Sequence, residues 1–317
     1  MNDRPSLNQN RKLFKKGKVK EVYEIEGEDQ LEFLFTDSIS VFDKIIPTQV
    51  PYKGETLCRT SAYWFDFAKN LDINSHYLEL LPPNKMRVKK VDIIRDYSKL
   101  TPQTTNYLIP LEFICRHYVA GSLNDRFKNG KTSPESVGFE KGYQPKYGDK
   151  LPEPMIEVTT KLEPVDRSIS IEEAKDISGL TDEEFEYIQE VLLKLDEKIN
   201  SEVRSRGLIH VDGKKEFAFD SERNLMLIDT FGTADEDRFW DAEKYDNNEF
   251  VEISKEFVRQ HYRRISYYDE LVAAREKAET DSSVKEPDIP PLPDDVTKDV
   301  SNLYIGLYEK ITGELFK

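Results

Sequence analysis

The sequence predicts an α+β protein built from antiparallel strands and amphipathic helices, and three observations carry that expectation. An alternating strand pattern opens at Gly17, a strongly periodic helix begins at Thr181, and two apolar runs bracket the turn-like segment Asp220-Ser221-Glu222-Arg223-Asn224 as a β-hairpin. The 317 residues suit about two domains and are enough to bury a substantial core.

From Gly17 onward, Val19, Glu21, Tyr23 and Ile25 alternate with Lys20, Val22 and Glu24, and Leu31-Glu32-Phe33-Leu34-Phe35 follows a turn at Gly27. This reads as an antiparallel meander starting at Gly17. Residues 56–70 read as a helix with Leu57, Trp64, Phe65 and Ala68 near one face. Pro82-Pro83 marks a break, and residues 86–94 and 111–119 are strand-like. From Asn129 to Arg167 the chain is rich in Gly, Pro, Lys and Glu, which predicts a long loop of the lid or disordered kind. Ser170 with Glu173, and Thr181 with Glu184, have capping-box spacing. Phe185, Ile188, Val191, Leu192, Leu195, Ile199 and Val203 then recur at helical spacing until Gly207 stops the run, and they are assigned to the core. One helix is expected over about 253–277, a Pro-rich connector over 280–296, and a last helix over about 297–312, ending at Gly313. The chain shows no internal repeat.

Hydrophobic residues make up 38% and aromatic residues 11%, as in a globular protein. A net charge of −15 argues against nucleic acid or an anionic membrane as the main partner, although a local basic cleft can still attract small anions. Cys58 and Cys115 have no CxxC spacing, and His76, His117, His210 and His261 have no metal-ligand spacing, so neither a disulfide scaffold nor a zinc site is expected. The polar start lacks a secretory h-region, and no apolar run reaches membrane-spanning length, so the expected location is cytoplasmic.

The segment Gly207–Trp240 carries the most chemistry. With the turn centred between Glu222 and Arg223, Glu216 faces Asp229 across the hairpin. Like charges so placed destabilise a strand pair, so the two carboxylates call for a cation. Hard oxygen ligands suit Mg²⁺ shared with substrate phosphates; a solvated hairpin is the plainer alternative. Asp212, Lys214 and Glu216 alternate along one strand face, which makes poor core and a good polar site. Gly17, Lys18 and Lys20 suggest phosphate contacts, although Walker A and GxGxxG patterns are absent and a surface lysine pair is the simpler reading. Arg116 and Ser122 flank Gly121 and can fork onto a phosphate or carboxylate, or belong to an ordinary strand-end turn. Lys255, Arg259 and Arg263, spaced by four, share a helix face that could equally be solvated and paired with Glu252 and Glu256.

Taken in order, these segments resemble the phosphoribosylaminoimidazole-succinocarboxamide synthase (SAICAR synthetase) family over nearly the whole chain. Gly17–Tyr23 resembles the family's Gly-Lys-Val/Ala-Arg/Lys start, and Phe35–Asp43 its FTDRISAFD strand. Pro51–Gly54 is similar to the PxKG turn, and Leu111–Ser122 to VECIVRxYxxGS. Gly207–Phe217 resembles GLILVDTKFEFG, and Asp229–Trp240 resembles DEVLTPDSSRFW. Lys255 and Arg259 match a KxxxR helix, and Pro290–Pro293 with Tyr308–Gly313 match the C-terminal tail. The chain departs at Thr230, Ala234, Glu236-Asp237 and His210, and in the central runs Glu157–Lys161 and Val165–Ser168, which replace TPSTK and an HDEN-like run.

The resemblance implies two sheet-containing lobes with ATP in the cleft between them: a kinase-like nucleotide lobe over about 1–110, and a substrate and metal lobe with C-terminal helices over 111–317. It implies ATP-dependent joining of the carboxylate of 4-carboxy-5-aminoimidazole ribotide (CAIR) to the amine of L-aspartate, in purine biosynthesis. Gly17, Lys18 and Lys20 would meet ATP, and Glu216 and Asp229 would hold Mg²⁺. Arg116, Ser122, Asp212, Arg238, Lys255 and Arg259 would bind CAIR, while Lys214 and Asp235 would serve the chemistry. The partners are then small molecules, without nucleic acid or membrane, and no oligomeric state is implied. Small-molecule kinases, with a hydroxyl acceptor and no need for aspartate, and an acidic binding protein with no affinity for Mg·ATP are the alternatives.

Overall fold

The computed structural model describes residues 11–317. The first ten residues of the polar start, and of the expected first lobe, lie outside the described residues. Strands β1 (Arg11–Lys16), β2 (Lys20–Ile25) and β3 (Gln30–Phe35) open the chain, followed by the hairpin β4 (Ser38–Val41) and β5 (Lys44–Gln49). Helix α1 (Lys53–Lys69) leads to β6 (Tyr77–Leu81) and β7 (Lys85–Lys89). The first sheet is antiparallel, in the order β1-β2-β3-β7-β6. The meander therefore begins one strand before Gly17, which sits in the β1–β2 turn with its amide donating to Lys20 O at 2.8 Å.

The second sheet comprises β8 (Tyr107–Tyr118), β9 (Lys150–Thr160), β10 (Leu208–Phe219), β11 (Leu225–Ile228) and β12 (Asp237–Asp241). Its order is β11-β10-β8-β9, with β12 also on β10. Strand β9 lies inside the stretch expected to be a loop. Its turn-rich composition hides an edge strand, where Pro152 and Pro154 need not donate to a further neighbour. Helix α2 (Gly121–Lys128) follows β8, and α3 (Ile171–Ser178) and α4 (Asp182–Arg204) follow β9. Both halves of the capping box form at Thr181 and Glu184, whereas at Ser170 only the side-chain acceptor is in place. All seven periodic apolar positions of α4 are buried.

Past the second sheet come α5 (Ala242–Asp246), α6 (Glu256–Arg264), α7 (Tyr267–Ala278) and α8 (Asp294–Thr312). The single helix expected over about 253–277 is thus two helices. Ser266 adopts φ 62° between them, a left-handed conformation that breaks the helical path. Helix α8 returns to pack on α1, and the segment around Asn74–His76 pairs with Leu227 of β11, joining the two sheets. One extended core includes Trp64, Phe65, Phe113, Leu192, Phe217 and Tyr304.

Candidate functional site

Strand alternation builds the site. On β8, Glu112 and Arg116 face the same way; on β10, so do Asp212, Lys214 and Glu216. The antiparallel register sets Arg116 opposite Asp212 and Glu112 opposite Glu216. The hairpin register differs from the expected one: Glu216 pairs with Ile228, because the loop closes over five residues, with the Asp220 carboxylate accepting from the amides of Glu222 and Asn224. Asp229 is one step beyond the ladder at φ 59°. The like charge across from Glu216 is therefore Glu112, and Lys214 Nζ bridges the two, at 2.7 Å from Glu112 and 3.0 Å from Glu216.

Asp229 still joins the group. It forms ion pairs with Lys20 of β2 and, at 3.9 Å, with Lys161, which also pairs with Glu216. Burial disfavours the charge on Asp229, but Lys20 and Lys161 outweigh it and hold the carboxyl below its ordinary range. Glu216 behaves alike under Lys161 and Lys214. Glu112 does not: burial, reinforced by Glu216, pushes it up to about 7 against the pull of Lys214 and Lys161. The Lys214 ammonium is itself stabilised, since Glu236, Glu216 and Glu112 more than offset its burial. Hard oxygen donors thus converge at the cleft, where Lys161 meets both Glu216 Oε2 and Asp229, so the chemistry of Glu216 and Asp229 fits a Mg²⁺ that would take the place of this ammonium.

Two cavities adjoin here. The larger, about 460 Å³, is walled by Val22 and Phe33 from the first sheet and by Leu108 and Ile228 from the second. Gly17, Lys18, Lys20, Glu216 and Asp229 line it. The smaller, about 360 Å³, is lined by Arg116, Ser122, Asp212, Arg238 and Arg259. Lys214, Asp235 and Glu236 belong to the walls of both.

In the smaller cavity Asp212 binds Arg116 at 2.9 Å and also Arg238, and Ser122 Oγ accepts from Arg116 at 3.0 Å. Burial disfavours the Asp212 charge, but Arg238 and Arg116 keep its carboxyl below the ordinary range. Gly121, at φ 50°, gives the guanidinium of Arg238 room: a Cβ there would lie 2.7 Å from Nη2. Arg259 donates to Glu256 at 3.2 Å and Arg263 also reaches Glu256, so the expected pairing with Glu256 forms; both arginines border the cavity as well, with Arg263 still exposed. Lys255 does not line either cavity; it stands 3.6 Å from Asp235.

Asp235 is held on three sides. Fully buried Lys53 donates at 3.0 Å, Tyr304 of α8 donates at 2.5 Å, and Lys255 flanks it. Burial opposes its charge, yet Lys255 and Lys53 hold it ionised well below its ordinary range.

Sequence reasoning singled out neither Glu112 nor Lys161, Lys53 or Glu236. Each lay within a quoted segment, Glu112 in Leu111–Ser122, Lys161 at the end of the central run and Lys53 in the Pro51–Gly54 turn, but their roles come from strand partners and turns that motif spacing does not reveal.

Residues 13–274 match the sequence profile described as SAICAR synthetase. A phosphoribosylaminoimidazole-succinocarboxamide synthase of Thermoplasma acidophilum is 52% identical over 303 residues, 96% of this chain and 99% of that one. The protein of the same name from Thermoplasma volcanium is 51% identical over the same shares. Among solved structures, the SAICAR synthase of Saccharomyces cerevisiae complexed with SAICAR superposes with a TM-score of 0.73 at 25% identity, covering 99% of both chains. With the profile spanning most of its length and such relatives end to end, the chain belongs to the SAICAR synthetase family.

Proposed function

We propose that this chain joins the carboxylate of CAIR to the amine of L-aspartate, with cleavage of ATP to ADP and phosphate, giving SAICAR for purine biosynthesis. The observation that carries this reading is the shared wall of the two cavities at Lys214, Asp235 and Glu236. A nucleotide in the larger cavity and a carboxylated ribotide in the smaller would meet there, as phosphoryl activation of a carboxylate requires.

The apolar walls around Val22, Phe33, Leu108 and Ile228 suit the adenine, with Lys18 and Lys20 reaching the phosphates from the Gly17 turn. Arg116, Ser122, Arg238 and Arg259 would receive the ribotide, with Asp212 holding the two strand arginines in place. Mg²⁺ on Glu216 and Asp229 would offset phosphate charge. Lys214, kept as an ammonium by its carboxylate neighbours, would neutralise charge at the carboxylate under activation and is unsuited to act as a base. Asp235 is a positioning residue that orients Lys53 and Lys255. The CAIR carboxylate oxygen would take the γ-phosphoryl group as its bond to ADP breaks; the aspartate amine then displaces that phosphate, the new C–N bond replaces the C–O bond, and the amine proton leaves to the departing phosphate.

The division near residue 110 into a nucleotide lobe and a substrate lobe belongs to this proposal. So do a cytoplasmic location and purely small-molecule partners; no helix among the described residues is long and apolar enough to cross a membrane. The test is ADP release from Mg·ATP and CAIR, with and without L-aspartate, while SAICAR absorbance is followed. Equal ADP and SAICAR, both dependent on aspartate, are expected. ADP formation that does not need aspartate would overturn the ligase reading in favour of a kinase.

A further inference from the structure

The ligase chemistry uses one face of the second sheet. On the other face lies a second polar cluster: Cys115 and His117 from β8, Asp196 from α4, His210 and Lys215 from β10, and Asp237 from β12. Cys115 Sγ, His117 Nε2 and an Asp196 oxygen lie within 4.8 Å of one another. His117 Nε2 is 3.7 Å from Cys115 Sγ, 2.9 Å from Asp196 Oδ2 and 3.0 Å from the Asn200 amide nitrogen. His210 Nδ1, fully buried and without a hydrogen-bond partner, lies 3.9 Å from Asp196 Oδ2. One sulfur, one imidazole nitrogen and one carboxylate oxygen make a three-donor set for a borderline-soft cation, and His210 Nδ1, beside Asp196, is the fourth donor that a small shift of its ring would supply.

Charge points the same way. Asp196 and Asp237 are both buried, and Lys215 serves both, at 2.5 Å and 3.0 Å. With both imidazoles neutral, as metal ligation requires, two carboxylates against one ammonium leave a net negative charge in the interior, a costly state. A divalent cation bound through a Cys115 thiolate would bring the cluster to neutrality. The supporting contacts are also in place. His210 Nε2 meets Asp237 Oδ2 at 2.7 Å, the imidazole–carboxylate pairing that fixes a metal-ligating ring. Gly213 leaves room for it, since a Cβ there would lie 2.0 Å from Asp237 Oδ2 and 2.5 Å from Lys215 Nζ. A groove of about 900 Å³ between β9 and α4 reaches His117 and His210 and supplies an entry path. His210 and Asp237 are two of the places where the chain departs from the family motifs it otherwise resembles.

We propose that Cys115, His117, Asp196 and His210 form a structural site for a zinc-class divalent cation, tying β8 and β10 to α4 behind the catalytic face. Binding forms one metal–sulfur, two metal–nitrogen and one metal–oxygen bond, and the thiol proton of Cys115 leaves to solvent.

The test is Co²⁺ titration of the full-length protein after chelator treatment and dialysis. One equivalent is expected to produce tetrahedral visible bands together with a near-ultraviolet thiolate-to-cobalt band, which Zn²⁺ bleaches and excess Mg²⁺ does not. Cys115→Ser is expected to lose the thiolate band and His210→Gln to weaken uptake at least 100-fold, while Cys58→Ser leaves both unchanged. Absence of the thiolate band in the unmodified protein overturns the site, as does its survival in Cys115→Ser or its loss in Cys58→Ser. Should Cys115→Ser fail to fold, Cys58→Ser still decides, because the chain holds only these two cysteines.

Discussion

Lys20 on β2 and Asp229 just past β11 form an ion pair that crosses the cleft between the two sheets. In the proposed reaction each would change partner, Lys20 meeting a phosphate oxygen and Asp229 helping to hold the cation. Asp229→Ala is therefore expected to lower kcat by about 10²–10³-fold, the usual scale for losing one preorganised electrostatic group. Circular dichroism should show the fold intact. Near-normal turnover in a folded variant would remove Asp229 from the metal site.

Arg238 meets Asp212 in the smaller cavity and has no part in the larger one. Arg238→Ala should raise the KM for CAIR by about 10–100-fold, matching one or two lost charge-assisted hydrogen bonds, with the KM for ATP almost unchanged. A parallel rise in both constants would take the ribotide phosphate away from this arginine.

Glu112 gives the apoprotein a distinctive response to pH. Its folded-state carboxyl is raised from the ordinary 4.5 to about 7, so across that window the folded chain keeps a proton that the unfolded chain has released. Stability from this group accordingly falls as pH rises through the window. Glu112→Gln should flatten the decline of Tm between about pH 5 and 7. Asp229 and Asp235 act in the opposite sense: lysines depress them, so their contribution is complete at neutral pH and is lost on acidification below the ordinary carboxylate range. Identical Tm profiles for the variant and the parent would refute the raised Glu112.

Tyr304 donates to Asp235 at 2.5 Å from a nearly fully buried position on α8. Tyr304→Phe should cost about 1.5–3 kcal/mol in chemical denaturation, the range for a hydrogen bond to a charged group. Turnover should fall less than in Asp235→Ala, because Lys53 and Lys255 still hold the carboxylate. Unchanged stability would mean that the hydroxyl is not anchored there.

Much of this was legible in the sequence. The α4 core positions follow from periodicity alone, and the motif segments deliver the expected residues, Lys255 excepted, to two adjoining cavities. What escaped was long-range pairing. The facing-carboxylate argument was sound, but it applies to Glu216 and Glu112, which are 104 positions apart in sequence, since a strand's partner on its far side leaves no local mark. Strand β9 was hidden by its prolines, which an edge position tolerates. Histidine spacing argued against zinc, yet the proposed ligands come from β8, α4 and β10, and only folding brings them together.

The return of α8 onto α1 has a consequence for how the chain matures. Helix α1 is complete by Lys69, but the surface that covers it, including Tyr304, Leu307 and Ile311, belongs to the final 24 residues, which start at Asp294. During synthesis, α1 therefore leaves the ribosome with an apolar flank that stays open until α8 has emerged as well. A chain stopped before Asp294 should show fast amide exchange across α1 and bind a dye for exposed apolar surface. Emergence of α8, more than assembly of either sheet, is then the event that covers α1.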